Sequence, residues 1–231
     1  MNKNNIIKYL FQINTLMIFY NYCKYAFENK NIRSKIKEQD INSMWNIAKT
    51  FEIKEQVFES YIKSHIESNT DKTINEGIDI LRQQILVSAF SIFNNFLCHL
   101  VEILLNKFPK ILKLSENKVK VKDIANFKDY DSIFQFIINK EIRYFYGLSL
   151  KDKKKYLSKK TELGELSDLW KLDGKELWQD INDKRKMIVH PSRLIEISEE
   201  QLSLYLFYFT RIIYGMLLYA KKLTGIDFIP S

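Results

Sequence analysis

The stretch TINEGIDILRQQILVSAFSIFNNFLCHLVEILLNK, residues 73–107, decides the fold. Its apolar residues recur at spacings of three and four, which predicts a long helix with one continuous apolar stripe. The stripe consists of Ile74, Ile78, Leu81, Ile85, Ala89, Ile92, Phe96, Leu100 and Ile103. Pro109 is expected to end this helix, because proline lacks a backbone N–H and clashes with the preceding turn.

A second long helix is predicted to begin after Ser198, where Ser198 and Gln201 have the spacing of a capping box. Ile197 and Leu202 have the spacing of a hydrophobic staple, and Gly225 is a suitable stop. The stripe of this helix consists of Leu202, Leu206, Phe209, Ile213, Met216 and Ala220. Its other faces are apolar too, which indicates a helix that is central or lies at a subunit interface.

A third helix is predicted from Asp173, its candidate cap, to His190, because Pro191 disfavours helical geometry in the residue before it. The remaining segments are assigned more coarsely. We expect helices near 4–28, 34–48 and 51–68, a loop at 110–130 with a short strand at 119–121, and shorter helices joined by Lys-rich turns within 131–170. With six Gly and three Pro among 231 residues, breaks are few, and the predicted class is all-α.

Composition limits the classes of function. A chain that is 46% hydrophobic and 28% charged can bury a core, so disorder is not expected. The net charge of +8 suits an anionic partner, either nucleic acid or a membrane surface, although a solvated Lys-rich surface gives the same number. Cys23 and Cys98 lack metal-ligand spacing, so we expect no metal, no cofactor and a reducing, cytoplasmic location.

Two apolar segments, residues 5–27 and 202–220, raise a membrane alternative. Arg211 lies within the second segment, and a central arginine costs about 2.5–3.5 kcal/mol on membrane-insertion scales. A buried helix is therefore favoured over a membrane span, and no membrane partner is expected.

The strongest chemical signal is the pair Arg185 and His190 at the end of the third helix. Arg185 is expected at the rim of the stripe that includes Ile181 and Ile188, so its stem can pack while its head reaches a cleft. RNA supplies its own nucleophile, the 2′-OH. A histidine can transfer a proton at neutral pH, and an arginine can bind the phosphate oxygens bidentately. By spacing alone, however, Arg185 could be a surface charge and His190 a helix C-cap.

The surrounding sequence resembles HEPN domains. ELWQDINDKRKMIVHP, residues 176–191, is similar to their signature helix, which ends in R-x4-6-H, and LRQQILVSAFSIFNNFL, residues 81–97, is similar to the first core helix of the RiboL-PSP group. The resemblance covers about residues 75–225. It divides the chain into an N-terminal helical extension, residues 1–70, and a HEPN-like helical bundle, residues 71–231.

The resemblance implies a metal-independent endoribonuclease, commonly a homodimer, that acts as a toxin or phage-defence effector with an antitoxin or defence-system partner protein. Arg185 and His190 would be its catalytic pair, and the RNA product would carry a 2′,3′-cyclic phosphate. Lys186 stands where the family usually has Asn, Asp or His, and it is expected to bind the RNA phosphate as a point charge.

Lys186, together with Ser91, motivates an alternative: a non-catalytic HEPN module that binds RNA, a nucleotide or a protein partner. Ser91 stands where a related pattern often has an acid. Ser192 stands where some toxins of the family carry a Tyr that a partner nucleotidyltransferase modifies, so that route of control has no visible target here.

Other polar and aromatic residues have weaker signals. His99 is expected to be a packed core or cleft-rim histidine, and His65 to lie on a surface helix. Trp45, Trp170 and Trp178 could stack on bases, although core packing is the simpler interpretation. The lysines of 151–160 either follow an RNA backbone or solvate a turn.

Overall fold

A computed structural model describes residues 6–51, 55–112, 127, 129–161, 163–168, 175–189 and 195–228 of the chain. The fold is all-α, as predicted. Within these residues the only β-type pairing is an isolated bridge between Leu112 and Thr161. The helices are α1 (Lys8–Glu28), α2 (Lys30–Thr50), α3 (Glu55–Lys107), α4 (Tyr130–Gly147), α5 (Leu150–Lys160), α6 (Gly164–Asp168), α7 (Lys175–Val189) and α8 (Glu199–Thr224).

The central element is α3, which is longer than predicted. The sequence analysis separated helices at 51–68 and 73–107, whereas the structure has one continuous helix from Glu55 to Lys107. Residues 55–76 contain neither Gly nor Pro, and Thr70 and Ile74 are buried, so nothing in the chain interrupts the helix at the expected break. Pro109 ends it as predicted and begins a short 3-10 turn at Pro109–Ile111.

The last helix, α8, has the predicted ends. Ser198 accepts from the backbone N–H of Gln201, and the Gln201 side chain accepts from the backbone N–H of Ser198. Gly225 adopts the left-handed conformation at φ 68° beyond the last turn. Every residue of the predicted stripe is buried, and α8 packs against α1 and α3.

The N-terminal helix α1 belongs to the same core. Ile6, Tyr9, Ile13 and Tyr20 are buried in one cluster with residues of α3 and α8. The expected domain boundary after residue 70 lies inside α3, so no helix end marks it. The division into an extension and a HEPN-like domain stays a prediction.

Residues 151–160 form a helix and not the predicted Lys-rich turn. Ser149 caps α5 by accepting from the backbone N–H of Asp152, and lysine is itself a good helix former. The prediction that all these lysines are solvated or follow RNA is wrong for Lys153, which is 1% exposed. The predicted strand at 119–121 and the candidate cap Asp173 lie outside the described residues.

Two segments among the described residues are long and apolar enough to cross a membrane by length and composition: Asn69–Lys107 and Glu199–Thr224. About half of the most apolar window of each is buried inside the protein. Core helices meet the same test, so the cytoplasmic location stays a prediction.

Candidate active site

A cavity of about 570 Å³ opens between α3, the junction of α4 and α5, and α7. Three of its lining residues are cationic and none is a carboxylate, so it is suited to an anionic ligand. The lining residues are Phe90, Ser91, Asn94, Asn95, Leu148, Ser149, Leu150, Lys151, Trp178, Asn182, Arg185 and Lys186.

Arg185, predicted as catalytic, borders this cavity from α7. Its side chain is half-buried, and the guanidinium carbon lies 4.9 Å from the centroid of the Phe90 ring on α3. Phe90 is buried and stacks against Trp178, with ring centroids 5.8 Å apart. Arg185 forms no ion pair or hydrogen bond with any residue that the structure describes. An aromatic ring therefore positions its head, and its N–H donors remain available to a ligand.

Lys186, predicted to bind RNA, borders the cavity beside Arg185. It is exposed, and its ammonium lies 3.1 Å from Asp183 Oδ1. Hydrogen bonds from Gln179 and Lys186 lower the pKa of the Asp183 carboxyl. The pair is exposed on both sides, so it is weak, and Lys186 can exchange Asp183 for a phosphate at little cost.

His190 lies outside the described residues, as does the segment 190–194. The chain that follows this segment is attached to α3 at Ile195. The buried Gln83 donates through Nε2 to the carbonyl oxygen of Ile195 over 2.8 Å. The sequence signal for this contact was a glutamine at position 83 within an apolar helix, because a buried amide needs a hydrogen-bond partner.

The N-terminal half of α7 is attached to α8 by Tyr205, whose hydroxyl donates to Asp180. Burial, reinforced by this hydrogen bond, raises the pKa of the Tyr205 hydroxyl, so the phenol stays protonated and the bond persists across the neutral range. The helix that carries Arg185 is thus fixed to the bundle by a polar contact in addition to its buried Ile181.

Sequence reasoning missed Asn94 and placed Lys153 among the lysines that are solvated or follow RNA. Lys153 Nζ donates to Asn94 Oδ1 over 2.8 Å and to the Tyr146 carbonyl oxygen over 3.3 Å, and it lies 5.5 Å from the Phe145 ring centroid. Its charge also partly opposes the rise in the pKa of the buried Cys98 thiol that burial causes. The Asn-Asn pair at 94–95, within an apolar run, was the signal that could have drawn attention to this wall.

The other residues considered from sequence lie elsewhere. His99 is half-buried beside Tyr9, with ring centroids 6.0 Å apart, and does not border the cavity. His65 is exposed on α3. Trp45 packs against Phe58, Trp178 combines core packing with a place on the cavity wall, and Trp170 lies outside the described residues.

Among the described residues, no group of three or more His, Cys, Asp or Glu side chains could hold a metal ion. The sequence matches no protein-family model, and it has no significant match among curated proteins or solved structures. The resemblance to HEPN domains therefore rests on the residues of the sequence alone.

Proposed function

We propose that the protein is a metal-independent endoribonuclease of the HEPN type, acting in the cytoplasm as a toxin or phage-defence effector. The observation that carries the proposal is the Arg185 head at the wall of a cationic cavity, with no acidic partner in the described part of the chain. A guanidinium that is already paired with a carboxylate would have to give up that partner before binding phosphate, and this one does not.

The reaction assigned to the site uses the RNA 2′-OH as nucleophile. The 2′ oxygen attacks the adjacent phosphorus and the 5′ oxygen leaves, so the products are a 2′,3′-cyclic phosphate and a 5′-OH end. Arg185 would stabilise the charge on the non-bridging oxygens in the transition state, and His190 would transfer a proton. Lys186 and Lys151 border the same cavity and would bind neighbouring phosphates.

A homodimer is part of the proposal, because a single histidine cannot easily serve as both base and acid. The exposed face of α8 is the proposed interface. Four exposed apolar residues on one face of this helix occupy positions separated by three, seven and four, which is the spacing of helix–helix seams, and Arg211 lies between the second and the third of them. These residues are Leu204, Phe207, Tyr214 and Leu218.

The direct test incubates purified protein with RNA in EDTA and sequences the ends produced. We expect cleavage with cyclic-phosphate ends in the wild type and none with Arg185→Ala or His190→Ala, while His65→Ala, a change at an exposed histidine elsewhere, cuts normally. Absence of cleavage in EDTA, or full activity of the His190→Ala protein, would rule out this function.

The second candidate is a non-catalytic HEPN module that binds RNA, a nucleotide or a protein partner. The observation that favours it is Ser91 on the cavity wall, where its hydroxyl donates to the Val87 carbonyl oxygen of its own helix and supplies no acid. Binding of RNA without turnover, unchanged in His190→Ala, would favour this function over the first.

A further inference from the structure

We propose that Asn94 contacts an RNA phosphate through its side-chain amide, which the buried ammonium of Lys153 holds in the required orientation. The inference rests on the proposed ribonuclease function and adds a ligand-binding residue and a positioning residue to it.

The orientation of the Asn94 amide follows from hydrogen-bond chemistry. An ammonium has only donors, so the atom of Asn94 that lies 2.8 Å from Lys153 Nζ must be the carbonyl oxygen. The amide NH2 therefore points away from Lys153 across Cγ, and Asn94 is one of the residues that line the cavity. Among the described residues this NH2 has no hydrogen-bond partner, so two fixed donors are available to a ligand acceptor.

The buried charge makes these donors stronger. Lys153 is 1% exposed, and its hydrogen-bond partners in the described part of the chain are neutral groups. A positive charge behind a neutral amide polarises it, and the low dielectric of the interior strengthens the effect. One hydrogen bond thus transmits the field of Lys153 to a wall that also carries Arg185 and Lys186.

The ligand group is therefore an anionic acceptor. The cavity offers cationic donors from α7 and from Lys151 and has no acidic lining residue, so it attracts an anion and repels a cation. Within the proposed function this acceptor is a non-bridging oxygen of the RNA backbone, either on the phosphodiester that Arg185 binds or on the neighbouring one.

The test measures binding of a fluorescent 2′-O-methyl oligoribonucleotide, which lacks the attacking hydroxyl and so cannot be cut by this route. Asn94→Leu removes the donors without changing charge, and we expect the affinity to fall about 10-fold or more. Asn94→Asp should pair with Lys153 and keep or raise Tm, while the affinity falls at least as far. A Tm that is kept or raised while the affinity falls indicates a ligand contact. A purely structural role of Asn94 would change Tm and affinity in the same direction.

Lys153→Met tests the positioning residue, and Lys155→Met, a change at an exposed lysine on the same helix that does not border the cavity, is its control. We expect Lys153→Met to weaken binding several-fold more than the control, and the effects of Lys153→Met and Asn94→Leu to be non-additive because one acts through the other. If Lys153→Met fails to fold, the two Asn94 variants decide the matter.

The outcomes separate this inference from the function on which it rests. Wild-type protein that binds and cuts RNA, with unchanged affinity in both Asn94 variants, would overturn the inference and leave the ribonuclease intact. Parallel loss of Tm and affinity in Asn94→Asp would overturn it as well. Wild-type protein that neither binds the oligoribonucleotide nor cuts RNA would overturn both.

Discussion

The guanidinium of Arg185 lies over the ring of Phe90, 4.9 Å from its centroid, and not beside a carboxylate. Phe90 is only 7% exposed and packs against Phe209 of α8, so its ring is held by the core of the bundle. The ring can therefore orient the arginine without neutralising its charge. A cation positioned in this way is suited to meeting a phosphate as negative charge builds on it.

Replacing Arg185 by lysine keeps the charge and removes the planar fork. Because lysine cannot bind two phosphate oxygens through one rigid group, we expect the cleavage rate to fall about 100-fold or more. Stability should change by less than about 0.5 kcal/mol, since the residue is half-buried and unpaired within the described chain. Single-turnover kinetics and urea unfolding measure the two effects.

The matched control for this variant is Arg143→Lys, the same substitution at an exposed position on α4 that does not border the cavity. Comparable loss of cleavage in both proteins would remove Arg185 from the proposed mechanism.

The Phe90 ring is predicted to matter beyond its contribution to the core. Phe90→Leu retains an apolar side chain and should cost about 1 kcal/mol of stability, but it removes the aromatic face beneath Arg185. We expect a loss of cleavage greater than the loss of folded protein explains. Phe96→Leu changes a buried ring of the same helix that does not border the cavity, and equal cleavage by the two variants would contradict the prediction.

The exposed stripe on α8 is predicted to join two copies of the chain. Phe207 is 63% exposed, and Phe207→Glu should shift the protein towards monomer in light scattering, because desolvating a carboxylate in the seam costs more than its attraction to Arg211 returns. Helical content should not change, since the side chain is outside the core. Leu223→Glu, at an exposed position off the stripe, serves as control, and a wild-type protein that is already monomeric would disprove the interface.

Stability is predicted to fall on mild acidification because of His99. Burial, partly offset by the Glu102 charge, lowers the pKa of its imidazole from the ordinary 6.5. The unfolded chain therefore binds the proton more readily than the folded protein. The stability that the neutral His99 contributes to the folded protein is fully present above pH 6.5. It is lost as the pH falls through the lower pKa of His99 in the folded state.

The measurement is Tm at pH 7.5 and at lower pH, in steps that stop before the carboxylates titrate. His99→Phe should reduce the slope, whereas His65→Phe, at an exposed histidine of the same helix, should retain it. Equal slopes in wild type and His99→Phe would show that another group is responsible.

The sequence by itself determined the helices whose signals are local. The period of the apolar residues, the capping pair Ser198 and Gln201, and Gly225 beyond the last turn act within a few residues of one another, so they can be read directly from the chain. For the same reason it placed Arg185 at the rim of a buried stripe. The sequence prediction was wrong at residues 69–72, where polar residues indicated a break between two helices. Burial of Thr70 and Ile74 keeps α3 continuous there.

Only the tertiary structure decided what surrounds Arg185. Phe90, Asn94 and Lys153 lie far from it in the chain, and no periodicity connects them with it. Lys153 shows the difference most clearly: among neighbouring lysines of one helix it alone is buried, because the α5 face that packs inward happens to include its position. Local patterns fix which face of a helix is apolar, whereas the pairing of faces depends on contacts between residues distant in sequence, and those contacts form the cavity.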